Sequence, residues 1–295
     1  MKHSEPESIA VSALLAEGRA ILSANTLADA QVDVRLLLEY ATGLNRTRQL
    51  ANPDGMVPMA QADHARAAFA RRARGEPIAY IIGHRSFWHH EFQVTSATLI
   101  PRPETEHLLE WVLKKIPLHQ EVMVIDLGTG SGAIALSLAA DRPHATVIGC
   151  DLSLAALRVA RGNQARIAPN APKLVAWICG HWACMFKPQS ADLIVSNPPY
   201  IAADDPHLNQ GDLRFEPQSA LVAGGEGLDD YRVIIQQACH VLKPGGWLLF
   251  EHGCHQGEAV QALLVEAGFV SVETRLDLAG LPRTTAGKID SNGTK

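Results

Sequence analysis

A doubly wound α/β sheet preceded by a small helical domain is the fold this 295-residue sequence predicts. Three observations predict it. From residue 121 onward, strand-like apolar runs alternate with helix-period segments, the pattern of a sheet covered on both faces. A glycine loop, DLGTGSG at residues 126–132, joins the first of those strands to the helix after it. Before residue 76 the apolar residues recur at helical spacing, and no strand-like segment interrupts them.

The helices come first. SIAVSALLAEGRAILSAN and DAQVDVRLLLEYATG predict two, with Asp29 as N-cap of the second and Gly43 as its stop. PMAQADHARAAFARRARG predicts a third, closed by Gly75. Residues 1–75 therefore form the helical domain. Residues 76–101 change character: SFWHHEFQVTSATLIP is aromatic and β-branched and predicts a hairpin linker. RPETEHLLEWVLKKI restarts a helix, with Pro103 suited to its first turn.

The rest, residues 102–295, reads as one α/β domain. VMVIDLG is a strand, SGAIALSLAAD a helix, ATVIGCD a strand, and SLAALRVARGNQARI a helix. The strands KLVAWI and ADLIVSN follow. A helix at about residues 227–242 leads through the loop-like KPGG to the strand WLLFEHG. GEAVQALLVEAGF is a helix and VSVETRLDL the final clear strand.

Composition excludes several classes. Hydrophobic residues make up 47% and charged residues 19%, so the chain can bury a core without being a membrane protein. No apolar run approaches the roughly 18 residues a spanning helix needs, and MKHSEPESIA lacks a signal-peptide pattern. The five cysteines form no C-x-x-C pair, which fits reduced thiols in the cytoplasm. The formal charge of −5 argues against a broad grip on nucleic acid. Arg66, Arg71, Arg72 and Arg74 make one basic stretch, which reads equally as a solvated helix face or a docking surface. Cys179, His181 and Cys184 are close in sequence, as are His252, Cys254 and His255, but neither group has the four-ligand spacing of a zinc site. No metal is expected.

Two motifs carry chemistry. Gly128, Gly130 and Gly132 let the backbone approach a ligand closely. Their spacing is G-x-G-x-G, with a looser G-x-G-x-x-A match at 128–133. Asp151 ends the next strand, where a carboxylate can accept hydrogen bonds from ribose hydroxyls. Asp126 opens the loop and can take an ammonium group, directly or through water. This pattern supports an adenosine-containing cofactor without choosing which.

The second motif is SNPPYI, residues 196–201, just past the apolar run ADLIVS. Asn197 precedes a proline and is pushed toward extended backbone. Pro198 and Pro199 have fixed φ, so the corner is rigid. In open α/β sheets, ligands sit beyond the carboxyl ends of the strands. There the Asn197 oxygen and the Pro198 carbonyl present two acceptors to the two N–H donors of a planar NH₂ group. Tyr200 can stack on that group and exclude water. Neither acceptor is a general base, so catalysis rests on orientation and electrostatic placement. A merely structural turn is the plain alternative, since N-P is common turn chemistry. The glycine loop and Asp151 at matching strand ends weigh against it.

DLGTGSG followed by NPPY resembles the class I S-adenosylmethionine-dependent amino-methyltransferases. GEPIAYIIGHRSFW, TLIPRPETE, VSNPPYI, DPHLNQGDLRFEPQSALVAGGEGL and LLFEHGCHQGEAV narrow this to the release factor glutamine methyltransferase family, PrmC (HemK). The resemblance runs from about residue 75 to 275, with a matching helical N-terminal domain. It implies a Rossmann-like class I methyltransferase sheet over residues 102–295 and a substrate-docking role for residues 1–75. It also implies methylation of the glutamine of the Gly-Gly-Gln motif in class 1 peptide chain release factors. S-adenosyl-L-methionine would be the donor and S-adenosyl-L-homocysteine the product.

Carried over residue by residue, the resemblance puts Gly128, Thr129, Gly130, Ser131 and Gly132 at the cofactor's methionine end, where Asp126 can take the ammonium group. It puts Asp151 at the ribose and Trp182 beside the adenine. Asn197, Pro198, Pro199 and Tyr200 hold the glutamine amide, with Asn197 bordering the cofactor as well. Arg102, Glu104 and Glu216 fall in segments that approach the site. Two departures stand out. His181 occupies the place of the family's usual Asp before the Trp, and LPRTTAGKIDSNGTK diverges, predicting a short last strand. Methylation of nucleic acid would use the same corner, but a basic target-recognition domain is missing. For a nicotinamide oxidoreductase no hydride-relay set is apparent. An adaptor without activity has no use for Asn197.

Overall fold

The structure, a computed structural model, describes residues 8–23, 30–171, 174–209 and 211–291. It divides into two compact units, Met1–Gly83 and His84–Lys295. No helix among the described residues is long and apolar enough to cross a membrane.

The first unit contains β1 (Ser8–Ala10), α1 (Val11–Ser23), α2 (Ala30–Thr42), α3 (Arg46–Ala51), β2 (Met56–Pro58), α4 (Met59–Ala73) and α5 (Ile78–Ile82). Leu14 and Leu22 of α1, Leu37 and Leu38 of α2 and Phe69 of α4 meet in its core, all fully buried. The long helices lie where the periodicity puts them. Gly43 stops α2 with a left-handed φ of 73°, while the expected cap Asp29 lies outside the described residues. One expectation is corrected: β1 and β2 pair antiparallel, with Ile9 opposite Val57. Three residues are too few for alternation to register in a sequence. The basic stretch is largely spoken for. Arg66 pairs with Glu17 and Asp63, Arg71 with Glu76, and Arg72 with Asp33.

The second unit opens with a hairpin, β3 (His84–Phe87) and β4 (His90–Gln93). Then come α6 (Pro103–Lys115), β5 (Met123–Leu127), α7 (Ala133–Asp141), β6 (Thr146–Asp151), α8 (Leu154–Ile167), β7 (Val175–Cys179) and β8 (Ala191–Ser196). The chain continues through β9 (Ile201–Ala202), β10 (Val222–Ala223), α9 (Asp229–Val241), β11 (Leu242–Glu251), α10 (Gly257–Glu266), β12 (Phe269–Leu276) and β13 (Pro282–Ile289). Pro103 does take the first turn of α6, where its missing N–H has no helical partner to lose.

Among the described residues the main sheet has seven strands in the order β12-β13-β11-β8-β5-β6-β7. β11, β8, β5, β6 and β7 run parallel, and β13 is antiparallel to both of its neighbours. Both faces are buried. Val124, Leu193, Val195 and Leu249 face a cluster that holds Trp111 and Leu136. Ile125, Ile194, Leu248 and Phe250 face another that holds Tyr231 and Ile234. That alternation along β5, β8 and β11 is what a doubly wound sheet requires.

Two expectations change at the C-terminal edge. KPGG lies inside β11 as an irregular stretch between Leu242 and Trp247. The last strand is not short: β13 runs for eight residues between β11 and β12. PRTTAGKI hides this, because the buried Thr284 and Thr285 read as polar. Thr285 is satisfied inside the fold by His252 Nε2 at 2.8 Å.

Candidate active site

The strand order turns at β5, whose chain neighbour β6 lies on one side and β8 on the other. Leu127 of β5 pairs with Ser196 of β8. The glycine loop and the Asn-Pro-Pro-Tyr corner therefore leave adjacent strands side by side, at the switch point where open sheets bind ligands.

Gly128, Gly130 and Gly132 all have left-handed φ values, 72°, 56° and 82°, a conformation that a Cβ disfavours. Gly128 and Thr129 both donate their N–H to Cys150 O at 2.9 Å, which ties the loop to β6. Gly132 also needs its bare Cα for packing: a Cβ there would lie 2.9 Å from the Trp177 ring.

Two carboxylates brace this loop in different ways. Asp151 Oδ2 accepts from Gly130 N at 2.9 Å and Oδ1 from Ser153 N at 2.8 Å. Each oxygen keeps a lone pair, and the carboxylate lines the cavity described below. Burial pushes its pKa up, and these two backbone bonds pull it back. Asp126 is 1% exposed. Its Oδ2 accepts from Thr129 Oγ1 at 2.6 Å and Ala135 N at 3.2 Å, while Oδ1 has no partner. Burial raises its pKa to about 7.

The sign of that shift gives a stability prediction. Between the unfolded pKa near 4 and about 7 the native state binds more protons, so stability from this group falls as pH rises through that window. Asp126→Asn should raise the melting temperature of the ligand-free protein at pH 8, and the gain should shrink as pH approaches 4. A melting temperature lowered equally at both pH values would contradict this.

The corner is pinned from several sides. Gln256 Nε2 donates to Tyr200 O at 3.0 Å. Burial pushes the Tyr200 phenol well up, so it stays neutral. Asn197 Nδ2 donates to Thr105 Oγ1, in the first turn of α6, at 3.2 Å. Glu251, last residue of β11, is 1% exposed and its Oε2 has no hydrogen-bond partner. Burial raises its pKa to about 7; Thr105, Arg283 and Asn197 offset part of that, and Glu104 adds to it.

A cavity of about 310 Å³ runs between loop and corner. Gly128, Thr129, Gly130, Ser131, Asp151, Trp182, Asn197 and Pro199 all line it. Asp126, Gly132, Pro198 and Tyr200 are not part of its lining. Trp182 has φ 52°, unusual for an aromatic residue, and its ring comes within 3.3 Å of where a Gly128 Cβ would be. Exposed His181 supplies no carboxylate here, but Asp230 of α9 lines the cavity close to both His181 and Trp182. Arg102 pairs with Glu216, whose Oε2 also accepts from Ile100 N at 3.0 Å. Glu216 thus holds the segment before α6 in place.

Thr105, Asp230 and Glu251 went unmarked in the sequence reading. The signal for Glu251 is present: an acid ending the apolar strand LLFE, next to the strand that leads into Asn197. The histidine and cysteine clusters stay apart, and no group of three or more His, Cys, Asp or Glu among the described residues could hold a metal.

Comparison with known proteins adds descent to this geometry. Residues 13–83 match the PrmC N-terminal domain and residues 104–273 the methyltransferase small domain. The release factor glutamine methyltransferase of Xylella fastidiosa strain Temecula1 is 47% identical over 269 residues, covering 91% of this chain and 97% of that protein. The enzyme of the same name from Salmonella typhimurium is 44% identical, over 87% of this chain and 91% of its own. That from Aliivibrio fischeri is 41% identical over 95% and 98%. A solved methyltransferase from Pyrococcus furiosus shares the fold at a TM-score of 0.50 and 16% identity, covering 75% of this chain and 97% of its own.

Proposed function

We propose that this chain, which belongs to the release factor glutamine methyltransferase family, methylates the side-chain amide nitrogen of the Gly-Gly-Gln glutamine in class 1 peptide chain release factors. The donor is S-adenosyl-L-methionine, which leaves as S-adenosyl-L-homocysteine. The observation that carries this reading is the Asn197 amide on the cavity wall, with Nδ2 committed to Thr105 and Oδ1 left to accept from an incoming NH₂.

The cofactor supplies a methyl group on a positively charged sulfur, and it needs only an oriented nucleophile. The residues present fit it. The bare Cα atoms of the loop make a cradle, Asp151 has two lone pairs to spare for ribose hydroxyls, and Trp182 offers a ring for the adenine. Thr129 and Ser131 meet the methionine end, while Asp126, sealed behind Thr129, acts on that end by bracing the loop. Asn197 Oδ1 and the Pro198 carbonyl orient the acceptor nitrogen, and Pro199 and Tyr200 close the slot against water. No base is required: the amide nitrogen becomes acidic as the new bond forms, and its proton can leave late. The helical N-terminal domain is read as the docking module for the protein substrate, and the net charge of −5 disfavours nucleic acid as acceptor. No metal takes part, and the place of action is the cytoplasm, where release factors work.

The test offers the purified protein labelled S-adenosylmethionine together with release factor or with nucleic acid. Label is expected in the release factor; label only in nucleic acid overturns the proposal. A second measurement isolates the cofactor half. Asp151→Asn should weaken S-adenosylhomocysteine by about tenfold or more, since a hydrogen bond to a charged group is worth about 1.5–3 kcal/mol. Asp151→Ala should weaken it further, because Gly130 N and Ser153 N also lose their acceptor. Unchanged dissociation constants in calorimetric titration would remove Asp151 from the ribose site.

A further inference from the structure

We propose that Thr105 and Glu251 are positioning residues that fix which way the Asn197 amide faces. This rests on the reading of Asn197 as the group that grips the acceptor amide.

A primary amide is nearly symmetric in shape, so half a turn exchanges Oδ1 and Nδ2 at little steric cost. Only one of the two orientations offers an acceptor to an NH₂ group. Thr105 Oγ1 takes the bond from Nδ2 at 3.2 Å, but a hydroxyl can donate as readily as accept. Alone it would tolerate either orientation. A buried group that only accepts, placed near the hydroxyl, removes that freedom.

Glu251 is that group. The pairing of Phe250 with Ser196 brings it beside Asn197 at the ends of neighbouring parallel strands. Its carboxyl is almost fully buried, and Oε2 has no hydrogen-bond partner. The polar groups of Thr105 and Asn197 lie close enough to hold its pKa down in part. A carboxylate cannot donate, so a Thr105 hydroxyl turned toward Glu251 gives its proton there and keeps its lone pair for Nδ2. Donation then runs one way, from Asn197 to Thr105 to Glu251, and Oδ1 is left facing the acceptor. A protonated Glu251 could donate to Thr105 and reverse the chain. The charged or titratable groups around it are Glu104 on α6, Arg283 on β13 and the phenols of Tyr200 and Tyr231. Its pKa of about 7 makes the reversal accessible in ordinary buffers.

The readout is acceptor discrimination, which a merely structural role would not move. Two peptides, Gly-Gly-Gln and Gly-Gly-Glu, are titrated into the protein saturated with S-adenosylhomocysteine at pH 8. The parent should prefer the glutamine peptide strongly. Thr105→Val and Glu251→Gln should each shrink that preference by about tenfold or more, partly through a gain in affinity for the glutamate peptide. Thr105→Ser should keep the parental ratio, and cofactor affinity should stay unchanged in all three. The parent's own preference should also fall as pH drops below about 7, and that fall should be absent in Glu251→Gln. Should Thr105→Val fold poorly, Glu251→Gln and the pH series decide alone. A parental ratio in Glu251→Gln, with no pH dependence in the parent, overturns the proposal. If Asn197→Ala is inactive in the same hands, only the positioning role has failed; if Asn197→Ala transfers at the parental rate, the reading of the corner has failed.

Discussion

Methyl transfer by Asn197→Ala is expected to fall by about 10²–10³, by analogy with the loss of one oriented polar contact in an oxyanion hole. S-adenosylhomocysteine affinity is expected to stay close to the parent's. The separation follows from the geometry. Asp151, the proposed ribose carboxylate, is held by Gly130 and Ser153 and does not depend on the corner. The backbone of the corner does not depend on the Asn197 side chain either: two prolines fix it and Gln256 holds the Tyr200 carbonyl. Truncation therefore removes the proposed partner of the acceptor and leaves the backbone of the corner in shape. Single-turnover assays with saturating release factor report the loss directly. A rate within threefold of the parent would falsify the role given to Asn197.

Replacing the acceptor glutamine by glutamate is expected to remove methylation altogether. In the proposed slot, Asn197 Oδ1 and the Pro198 carbonyl both present lone pairs to the acceptor. A glutamine amide meets them with two N–H donors; a glutamate meets them with two more acceptors. Sites built to pair with a donor discriminate against analogues that lack it by about 10⁴–10⁵, because buried polar groups are then left unmatched. The Pro198 carbonyl belongs to a buried residue, so water cannot easily fill the gap. Asparagine at the same position should be poor, its amide stopping one methylene short. Peptide mass spectrometry decides: the added methyl should sit on the glutamine nitrogen. A methyl found on a carboxylate or a lysine would refute the account of the corner.

How much of this was legible beforehand differs from element to element. The long helices and the central parallel strands announce themselves through period, because each is buried on one stripe or on both faces. β1 and β2 do not, since a ladder of three residues has no period to see. β13 does not either, because its threonines are polar by type yet buried, with Thr285 hydrogen-bonded to His252 and Thr274. The same split runs through the site. Gly128, Asp151 and Asn197 were marked because they are local motifs at strand ends. Thr105 and Glu251 converge on Asn197 from 92 residues before it and 54 after it, through α6 packing and β11 register. Residues that act on a motif through space leave no mark in the motif. The basic stretch shows the converse: in a charge run legible as a surface, Arg66 and Arg72 are paired by the sequence-distant Glu17 and Asp33, and Arg71 by the nearby Glu76.

The place of β13 has a consequence for synthesis on the ribosome. The strand lies between β11 and β12, although it follows both in the chain. Until residue 289 has emerged, β11 has an unpaired edge on one side, with the apolar run Trp247–Phe250 along it. Such an edge is a template for pairing with another chain. Newly made molecules should therefore pass through a window in which Asn197 and the glycine loop are already in place but the sheet beside Glu251 is open. Pairing of that edge with another chain is the hazard of this window, and the closing of β13 ends it.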